Sequence, residues 1–185
     1  RFVPAVAVLA VAGSLVVNAA AGGLTGTGSI ALADGGASLT VNQGGNTTYG
    51  GVFSGGASLA KTGSGTLTLG GAHTYTGQTR LEAGTLALDT QNPINGTSLI
   101  SFNGGTLRYG ASFATDYSSR FSTAANQAYR IDLPAGIEIG LAGDLTSSGG
   151  SLVKSGAGQL VLGGANTYSG GTRSEEHTSE LQSQR

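Results

Sequence analysis

Few residues of this sequence belong to the types that usually perform catalysis or bind metals. The 185-residue chain has no cysteine, methionine or tryptophan, and its two histidines are His73 and His177. Its 10 acidic residues are scattered and lack the GGxGxD spacing of calcium-binding glycine repeats. We expect His73 to be a polar residue of a surface turn, because no aspartate or serine stands in a recognisable relation to it. The sequence therefore predicts no catalytic residue, no metal site and no cofactor.

Aromatic and charged side chains are concentrated in the irregular segment 111–133. This segment contains Phe113, Tyr117 and Phe121 together with Arg120, although aromatic residues make up only 6% of the chain. One interpretation is that these four residues present a patch that binds a host or matrix glycan or protein. The other, which we favour, is that the aromatic rings pack over the side of the scaffold.

An enzymatic alternative rests on pairs of residues that are separated by about one repeat length. Arg108 and Arg130 form one such pair, and Asp116 and Glu138 form another with the same separation. If the chain coils with that period, neighbouring turns could bring such groups together. Adjacent carboxylates or basic residues are what a polysaccharide lyase or hydrolase requires. This enzyme is the alternative to a non-catalytic function.

Charge and composition exclude other classes of function and indicate how the chain folds. With 9 basic and 10 acidic residues, the sequence has no basic face for nucleic acid and no polybasic stripe for a membrane surface. It contains 34 glycines and only 10% charged residues, while its 38% hydrophobic content argues against a solvated disordered polymer. So many small side chains cannot fill one thick core, which favours many thin, similar layers.

Internal repeats define these layers. Residues 58–79 align without a gap on residues 151–172, with 14 of 22 positions identical. A shorter pattern, GTL followed by two strand residues, starts at Gly65, Gly84 and Gly105. Each such unit alternates apolar and polar residues between glycines, which is typical of a short strand that ends in a turn. Apolar residues nowhere keep a helical spacing, so almost no helix is predicted.

The regular recurrence of one short strand every ~20 residues predicts an all-β fold in which each repeat is one coil of a parallel β-helix, a β-solenoid. Leu67 and Leu69 would point inward, and Gly63 and Gly65 would form a tight corner. We expect Lys61 to lay its stem along the stack and to keep its amine in water. A β-sandwich is the structural alternative, because short strands separated by turns also describe that fold.

The repeat at residues 58–86 resembles the passenger-associated repeat of bacterial autotransporters, whose pattern is LxKxGxGxLxLxGxNxYxGxTxxxxGxL. The second copy, at residues 151–172, matches the same pattern and has Asn166 where the first has His73. The matching positions of the first copy are Leu59, Lys61, Gly63, Gly65, Leu67, Leu69, Gly71, Tyr75, Gly77, Thr79, Gly84 and Leu86.

This resemblance implies a right-handed parallel β-helix, exported to the surface of a Gram-negative cell as a secreted passenger. Its partner would be the protein's own C-terminal β-barrel translocator, and an adhesin passenger would also bind a host or matrix glycan or protein. We expect a non-catalytic stalk or adhesin scaffold that aids its own secretion and folding. No nucleic-acid partner and no direct membrane span are expected.

The two ends of the sequence differ from the β-helical passenger fragment, residues 13–172. Residues 1–22 are apolar and could be solenoid strands or the remnant of a signal peptide. Residues 173–185 contain no glycine and 5 charged residues, and they resemble the translation of a common sequencing adapter. We therefore expect this tail to be artefactual and the chain to be part of a longer passenger.

Overall fold

The computed structural model describes residues 9–10, 13–20, 22–32, 35–89, 94, 98–110, 115–175 and 181–183, and these residues are almost entirely β-structure. Within them there are 19 short strands in four sheets and one 3₁₀ turn, Ser118–Arg120. The four-stranded sheet contains β1 (Leu9–Ala10), β3 (Ile30–Leu32), β6 (Phe53–Gly55) and β9 (Thr74–Tyr75). The five-stranded sheet contains β2 (Leu15–Ala19), β4 (Ser38–Gln43), β7 (Ser58–Thr62), β10 (Thr79–Leu81) and β12 (Ile100–Phe102). The seven-stranded sheet contains β5 (Thr47–Tyr49), β8 (Thr66–Leu69), β11 (Thr85–Leu88), β13 (Thr106–Tyr109), β14 (Ala128–Asp132), β16 (Ser151–Ser155) and β18 (Thr172–Ser174), and the three-stranded sheet contains β15 (Glu138–Leu141), β17 (Gln159–Leu162) and β19 (Leu181–Ser183).

All of the strand pairs in these sheets are parallel, and paired residues lie one coil apart in the sequence. From β4 to β9 the chain visits the five-, seven- and four-stranded sheets in turn, so each circuit is one coil. Strands β10 to β13 alternate between the five- and seven-stranded sheets, and β14 to β19 alternate between the seven- and three-stranded sheets. The result is a parallel β-solenoid of about seven turns. The predicted β-helix is confirmed, and the sandwich alternative is excluded because its sheets would be antiparallel.

The core is a set of columns that run along the solenoid axis. In the first repeat copy, Leu67 and Leu69 of β8 are buried, while the alternating Thr66 and Thr68 are only partly buried. The inward position of β8 stacks on the same position of the neighbouring coils, so that Leu67 pairs with Leu86 and Leu86 with Leu107. Each coil thus completes its burial only against the next one.

Two glycines allow the corner between β7 and β8 to approach the preceding coil. Gly63 has a φ of +72°, and a Cβ at this position would lie 2.5 Å from the carbonyl oxygen of Gln43. A Cβ on Gly65 would collide with the carbonyl of Gly45. A side chain at either position would therefore push neighbouring coils apart, and at Gly63 it would also strain the backbone.

The two repeat copies occupy different faces of the solenoid. In the first copy, β7 lies in the five-stranded sheet and β8 in the seven-stranded sheet. In the second copy, the corresponding strands β16 and β17 lie in the seven-stranded and three-stranded sheets. The shift occurs where β14 stacks on β13, with Leu107 beside Ile131. The repeat has therefore moved around the solenoid by one face between the two copies.

Both end segments include residues that pair with the solenoid. In the apolar N-terminal segment, β1 pairs with β3 and β2 pairs with β4. In the tail, β18 pairs with β16 and β19 with β17. Residues 1–8, 11–12, 21, 176–180 and 184–185 lie outside the described residues, and the adapter origin of the tail stays a prediction. Within the described part of the chain, no helix is long and apolar enough to cross a membrane.

Candidate functional site

The aromatic residues of segment 111–133 that the structure describes are buried. Tyr117 is 2% exposed and Phe121 is 3% exposed. The Phe121 ring meets the rings of Phe102 and Tyr129 at centroid distances of 4.9 and 6.0 Å. This burial favours the interpretation in which the rings pack over the scaffold, because a ring packed in the core has no face left for a ligand. Phe113 lies outside the described residues.

Arg120, the charged member of the predicted patch, ties the same segment to the solenoid. Its guanidinium donates from Nε to the carbonyl of Ser98 (3.0 Å) and from Nη1 to that of Ile94 (2.9 Å). It also lies 5.5 Å from the centre of the Tyr117 ring, within cation–π distance. These contacts give Arg120 a role in packing, and Arg120 is only partly exposed.

In the structure, the residue pairs of the enzymatic alternative are not in register on neighbouring coils. Arg108 stands in register with Asp132, and its Nε lies 3.3 Å from that carboxylate. Arg130 instead stands beside Val153. The local coil, from Arg108 to Asp132, is longer than the separation between Arg108 and Arg130, so those two arginines fall out of register.

Asp116, a carboxylate of that alternative, is occupied by backbone amides. Its two carboxylate oxygens accept hydrogen bonds from the N–H groups of Ser118 (2.7 Å) and Ala142 (2.8 Å). Glu138 is in register with Gln159 on the next coil. Among the described residues, no group of three or more histidines and carboxylates is arranged to hold a metal ion.

Two open depressions on the described surface contain few ionisable groups. The first lies at the corner between the five- and seven-stranded sheets and includes no ionisable side chain, and the second, on the seven-stranded sheet, includes Asp89 and Arg108. Neither has the two facing carboxylates of a glycosidase. The first is lined by Asn18, Ala19, Ala20, Asn42, Gly44, Gly63 and Ser64, and the second by Thr66, Thr68, Ala87, Leu88, Asp89, Arg108, Tyr109, Gly110 and Pro134.

The most unusual polar group is Lys61, which is fully buried. Its side chain points to the same side of β7 as that of Leu59 and stands in register between Val41 and Leu81. This corrects the expectation that the amine lies in water. The Nζ donates to the carbonyl of Thr62 (2.7 Å), that of Gly63 (2.9 Å) and, on the next coil, that of Ala83 (3.4 Å). Desolvation lowers the pKa of Lys61 to about 8.

Lys154 has the same place in the second repeat copy. It is also fully buried, and its Nζ donates to the carbonyl of Gly156 at 2.6 Å. Gly156 has a φ of +75°, close to the +72° of Gly63. The alternation in β7 and β16 could have indicated an inward lysine, because Lys61 and Lys154 each follow an inward leucine by two residues.

His73 is also buried, at 1% exposure, so the predicted surface turn is wrong. Its Nδ1 accepts a hydrogen bond from the backbone N–H of Phe53 on the preceding coil at 2.9 Å. Asn166 does the same in the second copy, where its Oδ1 accepts from the N–H of Leu145 at 2.9 Å. The histidine therefore replaces the asparagine of the repeat as an acceptor, and it must be neutral to do so. Desolvation lowers the pKa of His73 to about 4.

A tyrosine and a threonine four residues apart form the last internal contact shared by the copies. The hydroxyls of Tyr75 and Thr79 are 2.6 Å apart, and those of Tyr168 and Thr172 also form a hydrogen bond. Tyr75 is in the core, where its ring meets Phe53 at 4.7 Å, and burial raises its pKa to about 12. The lysine, histidine or asparagine, and tyrosine of the repeat therefore all have structural partners.

Comparison with known proteins identifies the same two repeat copies. The family model of the passenger-associated-transport-repeat matches residues 59–88 and 152–173. Over 102 residues, or 54% of the chain, the sequence is 34% identical to the adhesin BmaC autotransporter of Brucella suis biovar 1 (strain 1330). The chain spans only 3% of the length of that relative. No solved structure matches. The resemblance to passenger-associated repeats is thus confirmed.

Proposed function

We propose that this chain, a segment of an autotransporter passenger at the outer surface of the cell, serves as a non-catalytic β-helical stalk or adhesin scaffold that assists its own folding and secretion. The observation that carries the proposal is the parallel register that continues through both repeat copies, although the copies lie on different faces. A stalk needs continuity along its axis, and every coil here provides a parallel edge for the next.

The geometry supports a folding mechanism in which each coil is the template for its neighbour. Leu67 and Leu86 bury each other across a coil boundary, and His73 and Lys61 bind backbone groups of adjacent coils. A newly added coil thus gains both apolar burial and hydrogen bonds as soon as it docks. Folding that starts outside the cell would draw the remaining chain outward without ATP, because each coil is stabilised by the one before it.

The partners of such a segment follow from its place in the whole protein. An autotransporter passenger is linked to its own C-terminal translocator domain, and the similar Brucella protein is named an adhesin. We propose that the present chain holds a binding region at a distance from the cell. Its described surface supports this role, since the candidate catalytic residues Asp116 and Arg108 have structural partners.

The test compares secretion with adhesion in the intact passenger. Gly63→Ala in the first copy, which prevents close stacking, should lower the amount of passenger that external protease can reach on whole cells. Adhesion per displayed molecule should not change. Gly140→Ala is the matched control, because a Cβ at Gly140 meets no atom within 4 Å.

Two results would contradict the proposal. One is normal display of Gly63→Ala with a loss of adhesion per molecule, which would assign binding to this segment. The other is turnover of polygalacturonate by the purified chain that disappears in Asp116→Ala, which would support the enzymatic alternative.

A further inference from the structure

We propose that the corner behind the repeat lysine is a binding site for a primary ammonium ion, which the chain's own Lys61 fills and thereby joins one coil to the next. The inference does not depend on the function of the passenger. It rests on the geometry around Lys61 and on its parallels at Gln43 and Lys154.

The site consists of backbone carbonyls that converge on one point. The oxygens of Thr62, Gly63 and Ala83 lie 2.7, 2.9 and 3.4 Å from the Lys61 Nζ. An ammonium has three donors and no acceptor, so it matches three carbonyls without leaving a polar atom unused. The positive φ of Gly63 belongs to the turn that brings two of these oxygens together. These three hydrogen bonds are partly buried, and carbonyls that are shielded from water are costly to leave without a donor.

The third oxygen makes the site a link between coils. Thr62 and Gly63 belong to the coil of Lys61, whereas Ala83 precedes β11 on the following coil. The backbone N–H of Ala83 also bonds to the Lys61 carbonyl, at 3.2 Å. The site is therefore complete only after the following coil has docked.

The preceding coil fills the same corner with a different donor. Gln43 is 1% exposed, and its Nε2 donates to the carbonyl of Gly45 (3.0 Å) and to that of Thr66 on the next coil (2.8 Å). Its Oε1 accepts from the backbone N–H of Leu24 (3.2 Å). A buried donor that reaches one oxygen of its own corner and one of the next coil thus occurs in two successive coils.

The charge of Lys61 is compensated by these dipoles and not by a carboxylate. None of the ion pairs among the described residues includes Lys61. The nearest acidic residue in sequence to the third carbonyl is Glu82, whose carboxylate instead accepts from Asn103 Nδ2 at 3.2 Å. Desolvation is the cause of the lowered pKa of Lys61, as expected for a cation held by carbonyls alone.

The second copy shows that the site belongs to the repeat and not to one face. Lys154 lies in the seven-stranded sheet, whereas Lys61 lies in the five-stranded sheet, yet each ammonium donates to the glycine two residues later. Both glycines have a positive φ. The lysine and the first glycine of KxGxG are thus the two parts of one ammonium site.

The experiment is chemical rescue in the full chain. Lys61→Ala removes the ammonium and leaves space beside the three carbonyls, so its thermal midpoint should fall by several degrees. n-Propylammonium chloride at 50 mM should then raise the midpoint of Lys61→Ala more than that of the native chain. Equal concentrations of 1-propanol and of tetramethylammonium chloride are the reagent controls, because the first lacks the charge and the second lacks N–H donors.

Leu81→Ala is the matched control variant. Leu81 is fully buried in the same column, but its removal leaves an apolar space. Propylammonium should not restore Leu81→Ala. Equal rescue of both variants, or equal rescue of Lys61→Ala by propanol, would overturn the proposal.

A second variant keeps the test decisive if Lys61→Ala does not fold. Lys61→Met fills the space of the stem but brings no donor, so it should melt below the native chain and show no response to propylammonium. A Lys61→Met chain as stable as the native one would also overturn the proposal, because the three carbonyls would then need no ammonium.

Discussion

The first repeat copy, residues 59–88, begins in the five-stranded sheet, and the second, residues 152–173, begins in the seven-stranded sheet. In both, a buried lysine donates to a glycine of positive φ, and an acceptor side chain binds the preceding coil. If the repeat specified one face of the stalk, its copies would occur a whole number of coils apart. The second copy is instead displaced by one face relative to the first, which indicates that the repeat specifies a corner and its contacts with adjacent coils.

The copies differ in how deeply these contacts are buried. Tyr75 is 1% exposed, whereas Tyr168 is only partly buried. His73 is buried too, while Asn166 at the same position of the second copy is partly exposed. The same substitution should therefore change the free energy of unfolding by different amounts in the two copies. The exception is a corner glycine, where an added side chain would meet the backbone of a neighbouring coil in both copies.

The largest effect should come from the corner glycines, and it should be equal in the two copies. Gly63→Ala and Gly156→Ala each place a side chain at positive φ and against backbone of the preceding coil. Backbone strain and overpacking together should cost about 3 kcal/mol of the free energy of unfolding, measured in urea.

Gly136→Ala separates the two causes of that loss. Gly136 also has a positive φ (+81°), but a Cβ there would meet no atom within 4 Å. This variant should lose about 1 kcal/mol, from backbone strain alone. A loss at Gly63 no larger than that at Gly136 would contradict the role of close coil stacking.

The next largest effect should be a dependence on pH that only the first copy has. The pKa of His73 is about 4 in the folded chain, against an ordinary value of 6.5. The unfolded chain therefore binds more protons between these values, so the stability present above pH 6.5 decreases as the pH falls towards 4. The loss should reach about 2 kcal/mol at pH 5 relative to pH 8.

His73→Asn makes the first copy chemically like the second and is the control for this dependence. Its free energy of unfolding should change less between pH 8 and pH 5 than that of the native chain. Equal slopes in the two proteins would show that other groups cause the acid sensitivity. Urea titrations at several pH values measure the difference.

The sequence predicts the coil well because the coil is repeated. Alternation at Leu67 and Leu69, glycine at Gly63 and a regular period each indicate the same solenoid. The shift of one face could not be predicted, since it depends on the longer coil between Leu107 and Ile131. That coil includes the irregular segment, in which no repeat sets the register.

The internal polar contacts are harder to predict, because a prediction of burial relies more on the residue type than on the position of the residue in the strand. Lysine is mostly exposed and histidine is intermediate, so residue type alone does not place Lys61 or His73 in the core. Their burial depends on acceptors and donors of the backbone, such as the Gly63 carbonyl and the Phe53 N–H. Only the fold brings these groups into position, although the inward alternation of β7 is visible in the sequence.

A smaller effect should distinguish the two tyrosines. Tyr75→Phe leaves the hydroxyl of Thr79, which is fully buried, without its partner, and should cost about 1 kcal/mol. Tyr168→Phe removes the same bond at an exposed site, where water replaces it, and should cost less than about 0.5 kcal/mol. Urea denaturation of both variants measures the difference, and equal losses would contradict the unequal burial of the copies.

The smallest effect is expected at the junction between the copies. Arg108 and Asp132 form an ion pair where β14 stacks on β13, but their side chains are 46% and 21% exposed. Water and salt screen such a pair, so a double-mutant cycle with Arg108→Ala and Asp132→Ala should give a coupling below about 0.5 kcal/mol. A coupling above about 1 kcal/mol would mean that charge holds the junction. A small value would mean that the shift of one face is held by the buried column of Leu107 and Ile131, which is how the other coils are joined.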